Sequence, residues 1–408
     1  MPRGNTVTLT IHDVGYRGPG VARLDGKIVF CPGTLEGEGV TAVITEHRKQ
    51  FDIAKCVDVQ RPSPHRVAPA CPQAGTCPGC AYQHATYDEE LRIKTRQLIA
   101  FLGRVTGEDP AVPVKTIASP QMLGYRNKLV LQRSETGAST ALGYVGHDNR
   151  TVLDIPECPL ASRGINDRLE ALRGDPAWIE SLPPRERLTI RETAADGVIH
   201  WTGKLPGSRT PPLSEHTALG PLEVPAAAFF QVNPGAAALL IASVSACIAD
   251  ASPRAVLDAY CGVGVFACAA SRQRIEHVIG FDSDRAAIRA ARKNAARLGV
   301  PNLRFENATA ELGIGQYLNA CDMHETLVIV DPPRSGLTSR VLRALTAAAP
   351  AHILYVSCAP DTLARDASRL RKGGYTPRHA MLIDMFPRTA HFETMLYLQR
   401  DARKMLDS

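Results

Sequence analysis

From about residue 226 onward, short apolar runs alternate with longer runs rich in alanine and arginine. This alternation restricts the fold more than any other feature of the chain. The apolar runs are Ala255-Val-Leu257, His277-Val-Ile-Gly-Phe281, Thr326-Leu-Val-Ile-Val330 and Ile353-Leu-Tyr-Val356. They are short enough for strands and carry no polar alternation, so both faces of each are buried. Between them lie helical patterns such as Arg285–Arg297. Strands regularly separated by helices make a parallel sheet with helices on both faces, a doubly wound, Rossmann-like α/β domain. Asp284, just ahead of that helix, reads as its N-cap.

The rest of the chain is of another kind. Residues 5 to about 60 hold short strand signals: Val7–Ile11, Lys27–Phe30 and the β-branched Gly39–Ile44, punctuated by glycines. Strands at such spacing predict a small β-barrel over 1–62. Proline-rich 61–69 reads as a linker. A helix is expected from Asp88 to about Leu102, with acids early and bases late. The stretch 115–225 is mixed and rich in β signals, with turns at Glu135-Thr-Gly137 and Asp196-Gly197. The expected parts are therefore 1–62, a central part at 70–225 and an α/β part at 226–408. With 408 residues, 44% hydrophobic and 22% charged, the composition is that of a soluble globular protein. The net charge of +6 is compatible with a nucleic-acid partner. No apolar run long enough to cross a membrane is expected, and the N-terminal residues lack a signal-peptide core. A cytoplasmic monomer is the expectation. Of the eleven cysteines, Cys31, Cys56, Cys247, Cys268 and Cys321 read as buried thiols.

Three segments carry chemistry. Asp258-Ala-Tyr-Cys-Gly262-Val-Gly264 follows the first apolar run and opens a helix. Glycines there let a cofactor approach the backbone, and Asp282, ending the next strand, is placed to hold ribose hydroxyls. The loop also fits the dinucleotide pattern GxGxxA, so NAD stays open on the loop alone. Asp258 and the later Asp331-Pro-Pro-Arg334 favour S-adenosylmethionine (SAM). Amine methylases follow Pro-Pro with an aromatic residue; Arg334 stands in that place and argues against that chemistry. Ser357-Cys358 ends another strand ahead of a helix, where a thiolate gains from the helix N-terminus. Such a thiolate can add to carbon 6 of a pyrimidine and make carbon 5 nucleophilic. A carboxylate must then remove the carbon-5 proton, and Glu393 in the strand-like Thr389–Leu398 is the candidate. Third, Cys71-x5-Cys77-x2-Cys80 with the distant Cys158-Pro159 supplies four thiolates for zinc or an iron–sulfur cluster. The single, proline-flanked fourth cysteine favours [4Fe–4S].

Together, Phe229-Phe-Gln-Val-Asn233, the 258–264 loop, Asp331-Pro-Pro-Arg-Ser-Gly336, Ser357–Asp366 and Phe386–Thr394 resemble the RNA uridine-C5 methyltransferase family. The resemblance covers nearly the whole chain. It implies SAM-dependent methylation of carbon 5 of a uridine in RNA, with Cys358 as nucleophile and Glu393 as base. It also implies that Gln231, Tyr260, Asp282 and Asp331 contact SAM or the uracil. The cysteine spacing is similar to that of cluster-bearing members, implying a [4Fe–4S] cluster on Cys71, Cys77, Cys80 and Cys158. Residues 15–33 resemble the TRAM domain, an OB-like RNA-binding barrel, with Arg17, Arg23, Lys27, His47, Arg48 and Lys49 for phosphates and Tyr16 or Phe30 for stacking. The helix near 90–105 is expected to pack on the catalytic domain. The expected substrate is 23S rRNA; the alternatives are the tRNA T-loop uridine and an RNA-binding iron–sulfur protein without catalysis. The chain departs from the family pattern at Val265, at Asp282 and near Thr309.

Overall fold

The computed structural model describes residues 6–107, 111–134, 141–203, 212–317 and 321–401. The turn expected at 135–137 lies outside them. The first six strands are β1 (Thr6–Thr10), β2 (Asp13–Val14), β3 (Pro19–Leu24), β4 (Lys27–Pro32), β5 (Gly39–His47) and β6 (Phe51–Arg61). They form one curled sheet in the order β1-β5-β6-β4-β3-β2. Alternate residues of β4 and β5 point inward, so Val29, Cys31, Val40 and Ala42 build the barrel core.

The chain then runs through α1 (Tyr87–Thr106), β7 (Val114–Ile117), β8 (Lys128–Arg133), β9 (Leu142–Val145), β10 (Val152–Asp154), α2 (Arg163–Arg173), α3 (Pro176–Ser181), β11 (Arg187–Thr193) and β12 (Gly197–Thr202). A separate antiparallel sheet, β10-β9-β8-β11-β12, is backed by α2. The hairpin β13 (Leu213–Thr217) and β14 (Gly220–Val224) stands alone.

The last part comprises α4 (Pro234–Ala251), β15 (Ala255–Ala259), α5 (Val265–Ser271), β16 (His277–Asp282), α6 (Arg285–Leu298), β17 (Leu303–Asn307), α7 (Ala310–Tyr317), β18 (Thr326–Val330), α8 (Ser339–Ala348), β19 (His352–Ser357), α9 (Pro360–Lys372), β20 (Tyr375–Ile383) and β21 (Glu393–Arg400). The sheet order is β17-β16-β15-β18-β19-β21-β20-β7. Strands β15 to β19 are parallel, and β21 runs antiparallel to both its neighbours. Every residue of β15 and β18 is buried, as the unbroken apolar runs require. The expected cap holds: Asp284 Oδ1 accepts from Ala286 N at 2.7 Å and Ala287 N at 3.3 Å.

Two arrangements differ from expectation. β7 pairs in parallel with β20 as the edge strand of the large sheet; α1 packs beside it, as expected of the helix near 90–105, with Leu98, Leu102 and Val105 in the same core as α9. Residues 114–117, placed by sequence in the central part, are thus a strand of the C-terminal sheet. One short strand carries too little pattern to name its distant partner. The second is α4, which is long and apolar enough to cross a membrane although no such run was expected. Its face of Ala237, Leu240, Ile241, Val244 and Ile248 packs into the core under the sheet instead.

The pieces meet at one buried ion cluster. Lys94 of α1 is fully buried; its Nζ donates to Glu90 Oε1 and Asp384 Oδ1, both at 2.7 Å, and to Phe386 O at 3.3 Å. Tyr87 OH donates to Asp384 Oδ2 at 2.9 Å. Removing one member of a buried ion cluster strands the others without compensation, at a cost of about 3–5 kcal/mol. Lys94→Met is therefore expected to lose about that much in urea unfolding. Unchanged unfolding would mean that water reaches Glu90 and Asp384 and that the cluster does not hold α1 in place.

Candidate functional site

The crevice lies where β15 and β18 are neighbours, with β16 on one side and β19 on the other. Successive strands are laid down in opposite directions from that point, and ligands bind beyond the carboxyl ends of such strands. Asp258, at the end of β15, is fully buried; its Oδ2 accepts from Ala267 N at 2.9 Å, pinning the loop to the start of α5. Tyr260 has φ +68° and Gly264 φ +88°. A Cβ on Gly264 would lie 2.4 Å from Phe305 Cζ, so glycine is required there. The loop edges a cavity of about 160 Å³ that Gln231, Tyr260, Gly262, Val265 and Asp331 help to line. Gln231 Oε1 is shut off from solvent and has no hydrogen-bond partner among the described residues. An orphaned acceptor at a cavity wall fits a ligand with a donor, such as an amine.

Three of the four expected cofactor residues, Gln231, Tyr260 and Asp331, line this cavity. Asp282 does not; its Oδ2 accepts from Gly262 N at 3.0 Å and its Oδ1 from Asp284 N at 2.8 Å, which shapes the loop from behind. Val265 lines the wall, while Thr309 is exposed just ahead of α7. Glu311, two residues further, lies near enough to Tyr260 to help raise its phenol, though burial is the larger cause. Sequence reasoning missed the hairpin: Glu215, His216 and Thr217 of β13 close one side of the cavity. Asn294 of α6 fastens that hairpin, accepting from Glu223 N at 2.7 Å and donating to Glu223 O at 3.0 Å and Val263 O at 3.1 Å.

Cys358 and Glu393 come together through register. In the β19–β21 ladder Ser357 is opposite Thr394. Because β21 is antiparallel, its first residue lies at the end where β19 finishes. Asp331, closing β18, is next along the same edge. Arg334 lies near enough to the group for its charge to act on the Cys358 thiol. The stretch 357–366 braces this loop. Thr362 Oγ1 donates to Arg334 O at 3.2 Å, Arg365 Nη2 to Ser335 O at 2.8 Å, and buried Asp366 accepts from Leu337 N at 2.7 Å and Tyr355 OH at 2.9 Å.

The electrostatics correct one expectation. A thiol eased toward thiolate was expected at Cys358; burial, followed by the nearby Glu393, instead pushes it up to about 11, against the pull of Arg334. The residue precedes the helix by two positions, and desolvation outweighs the helix end. Glu393 is itself buried and its carboxyl lies well above the usual range, through burial and then Asp331, with Arg334 opposing. Burial likewise raises Asp331. His391 is driven down to about 4 by burial and then by Arg334 and Arg17, so it is neutral near pH 7. The Glu393 carboxyl and the Cys358 thiol thus share one arginine, and the crevice retains protons.

The four expected metal cysteines also meet. Cys71, Cys77, Cys80 and Cys158 line one cavity of about 70 Å³, distinct from the first. Among the described residues, no three His, Cys, Asp or Glu side chains converge closely enough to hold a single metal ion. Gly79 N donates to Cys77 Sγ at 3.5 Å and Gln83 Nε2 to Cys80 Sγ at 3.6 Å. On the barrel, several expected phosphate ligands are paired: Lys27 with Asp52 at 2.5 Å and Arg48 with Glu46 at 2.5 Å. Tyr16 and Phe30 make edge contacts with Phe101 and Phe51, at 5.1 and 5.2 Å between centroids. Of the cysteines read as buried, Cys31, Cys247 and Cys268 are; Cys56 and Cys321 are half-buried.

Comparison with known proteins matches residues 222–401 to the tRNA (uracil-5-)-methyltransferase family and residues 2–57 to the TRAM domain. A 23S rRNA (uracil(1939)-C(5))-methyltransferase of Stenotrophomonas maltophilia is 31% identical, over 96% of both chains. An RNA methyltransferase of Listeria monocytogenes is 29% identical over 98% of both. Among solved structures, the Pyrococcus abyssi tRNA (uracil-54, C5)-methyltransferase in complex with S-adenosyl-L-homocysteine superposes with a TM-score of 0.74 and 26% identity, covering 96% of this chain and all of that one.

A carboxyl whose pKa is higher folded than unfolded binds its proton more tightly when folded. Its contribution to stability is intact below the unfolded value, about 4.3 for glutamate, and is lost as pH rises. Glu393→Gln is therefore expected to melt increasingly above the wild type as pH is raised from about 5 to about 8. A melting difference that does not change with pH would show that the crevice accommodates an ionised Glu393.

Proposed function

Because the chain belongs to the tRNA (uracil-5-)-methyltransferase family of SAM-dependent RNA methyltransferases, we propose that it methylates carbon 5 of a uridine in 23S rRNA through a covalent bond to Cys358. The observation that carries this reading is the β19–β21 register, which sets Cys358 and Glu393 at one strand end beside Asp331 and the cofactor cavity. The choice of 23S rRNA rests on the Stenotrophomonas relative and its nearly full-length match.

Cys358 gives up its proton to solvent water, and its sulfur bonds to carbon 6 of the uracil. The carbon 5–carbon 6 π pair moves onto the ring, leaving an enolate at the carbon-4 carbonyl and a nucleophilic carbon 5. Arg334, whose charge already opposes the rise of the thiol, stabilises negative charge on the sulfur. Bound SAM supplies the electrophilic methyl that carbon 5 takes, and the residues that would hold it are Gln231, Tyr260 and Asp331, with Asp282 shaping the loop. Glu393 then removes the carbon-5 proton, the ring double bond re-forms and the sulfur departs. That task needs the ionised carboxylate, so Glu393 must first lose its resting proton to solvent water. Its high resting pKa makes it a strong base once the proton has left, because the charged form lies in a dry site beside Asp331. The uridine must leave its stack to reach this edge, which favours an unpaired or refolded loop as target.

The four-cysteine cavity fits a [4Fe–4S] cluster. The support for this reading is that the four thiols line one enclosed space, the donor set such a cluster takes. Methyl transfer calls for no redox step, so the cluster serves as a brace. The cysteine loop is bonded onto the catalytic segment: Ala81 N and Tyr82 N donate to Arg388 O at 2.9 and 3.0 Å.

Labelled SAM offered with separate unmodified 23S rRNA and tRNA pools should yield 5-methyluridine from the rRNA. Label in tRNA alone would retain the chemistry and overturn the substrate. RNA bearing 5-fluorouridine should trap an acid-stable adduct with the wild type and none with Cys358→Ala; an adduct surviving in that variant would sink the nucleophile assignment. Glu393→Gln should lower kcat by about 10²–10⁴ and accumulate the adduct on natural RNA.

A further inference from the structure

Arg126 lies where nothing in the methylation chemistry requires it. It is the one cationic side chain among the described residues that line the four-cysteine cavity. Its Nε is shut off from solvent and has no hydrogen-bond partner among the described residues. An uncompensated guanidinium nitrogen beside an apolar cavity is costly unless an anion completes it. The nearby Glu157 also lines the cavity, and no ion pair joins it to Arg126 among the described residues.

The backbone is built to hold Arg126 there. Arg126 N donates to Leu160 O at 2.8 Å, Ser162 N donates to Arg126 O at 2.9 Å, and Gly124 N donates to Pro159 O at 2.9 Å. The segment 124–126 is thereby zipped to the residues that follow Cys158. The neighbouring Tyr125 hydroxyl donates to Pro387 O at 3.0 Å, in the loop that leads to Glu393. Arg126 also favours the thiolate of Cys77 and contributes to keeping His391 neutral, as expected of a cation set between the two sites.

We propose that the Arg126 guanidinium is the counter-cation of the four-cysteine site, setting the reduction potential and the retention of a bound [4Fe–4S] cluster. The inference rests on the cluster reading above. Four thiolates around an oxidised [4Fe–4S] core leave two net negative charges, and one-electron reduction adds a third. A fixed positive charge in a low-dielectric wall stabilises the reduced form more than the oxidised one, so it raises the potential. It also offsets repulsion among the thiolates and so slows loss of iron.

The test compares anaerobically reconstituted wild type, Arg126→Lys and Arg126→Met. Iron and sulfide per chain, the rate of iron release in air and the midpoint potential from dithionite titration are measured. Wild type that takes up no iron or sulfide defeats the cluster reading itself, before Arg126 is in question. With a cluster in the wild type, Arg126→Met should shift the potential negative and release iron severalfold faster, while Arg126→Lys stays close to wild type. If Arg126→Met cannot hold the cluster at all and Arg126→Lys can, the charge is again what acts. If the two variants behave alike, both as wild type or both without a cluster, the proposal fails.

Discussion

The fully buried Lys94 is the interaction on which the rest of the structure depends. It neutralises Glu90 on its own helix and Asp384 at the end of β20, and so fastens an N-terminal helix to the loop that delivers Glu393. An ion cluster with no exposure is specific because its desolvation is repaid only when every member is in place. Other parts attach to the same loop. Arg388 N donates to Glu90 Oε1 at 2.7 Å, Arg388 Nη1 to Ala85 O at 2.8 Å, and Asn233 Nδ2 to Met385 O at 3.1 Å. The barrel joins through α1, where Gln97 Nε2 donates to Gly15 O at 2.8 Å and Arg96 pairs with Glu36 at 2.6 Å. The segment 384–392 is thus held by the cysteine loop, the first helix and the lead-in to α4.

This anchoring matters because the crevice is electrostatically uncomfortable. Asp331, Glu393 and Cys358 are crowded at one sheet edge, Arg334 opposes the rise of Glu393 and Cys358, and all three are pushed toward their protonated forms. Such a site would relax by separating its acids if the backbone allowed it. The register of β19 with β21 and the brace from Asp366 to the 334–337 loop prevent that. A resting thiol held neutral is also shielded from adventitious reaction.

Much of the C-terminal fold was legible because its periods are strong. Buried parallel strands read as unbroken apolar runs, and Asp284 announces its helix by side-chain capping. The chemistry residues were legible for a similar reason: Cys358, Asp331 and the 258–264 loop each follow a strand, so strand ends alone put them on one edge. An acid at the position of Asp282 has two uses, and the sequence does not show that its carboxylate also accepts from Gly262 N and shapes the loop. The hairpin over the cofactor cavity, β7 at the sheet edge and Arg126 carried no local signal. Nor did Lys94, which in sequence is one more base on a charged helix.

The sequence by itself determined which elements form and which side chains end their strands, since those follow from local period, capping and glycine placement. It also determined that four cysteines and one thiol–carboxylate pair are available. Tertiary structure alone decided which of these groups meet. Glu393 reaches Cys358 only because β21 enters the sheet antiparallel, and residues 87–117 join a sheet whose other strands begin more than a hundred residues later because of a buried charge cluster. Contacts between distant segments depend on register and desolvation, which no short stretch of sequence encodes.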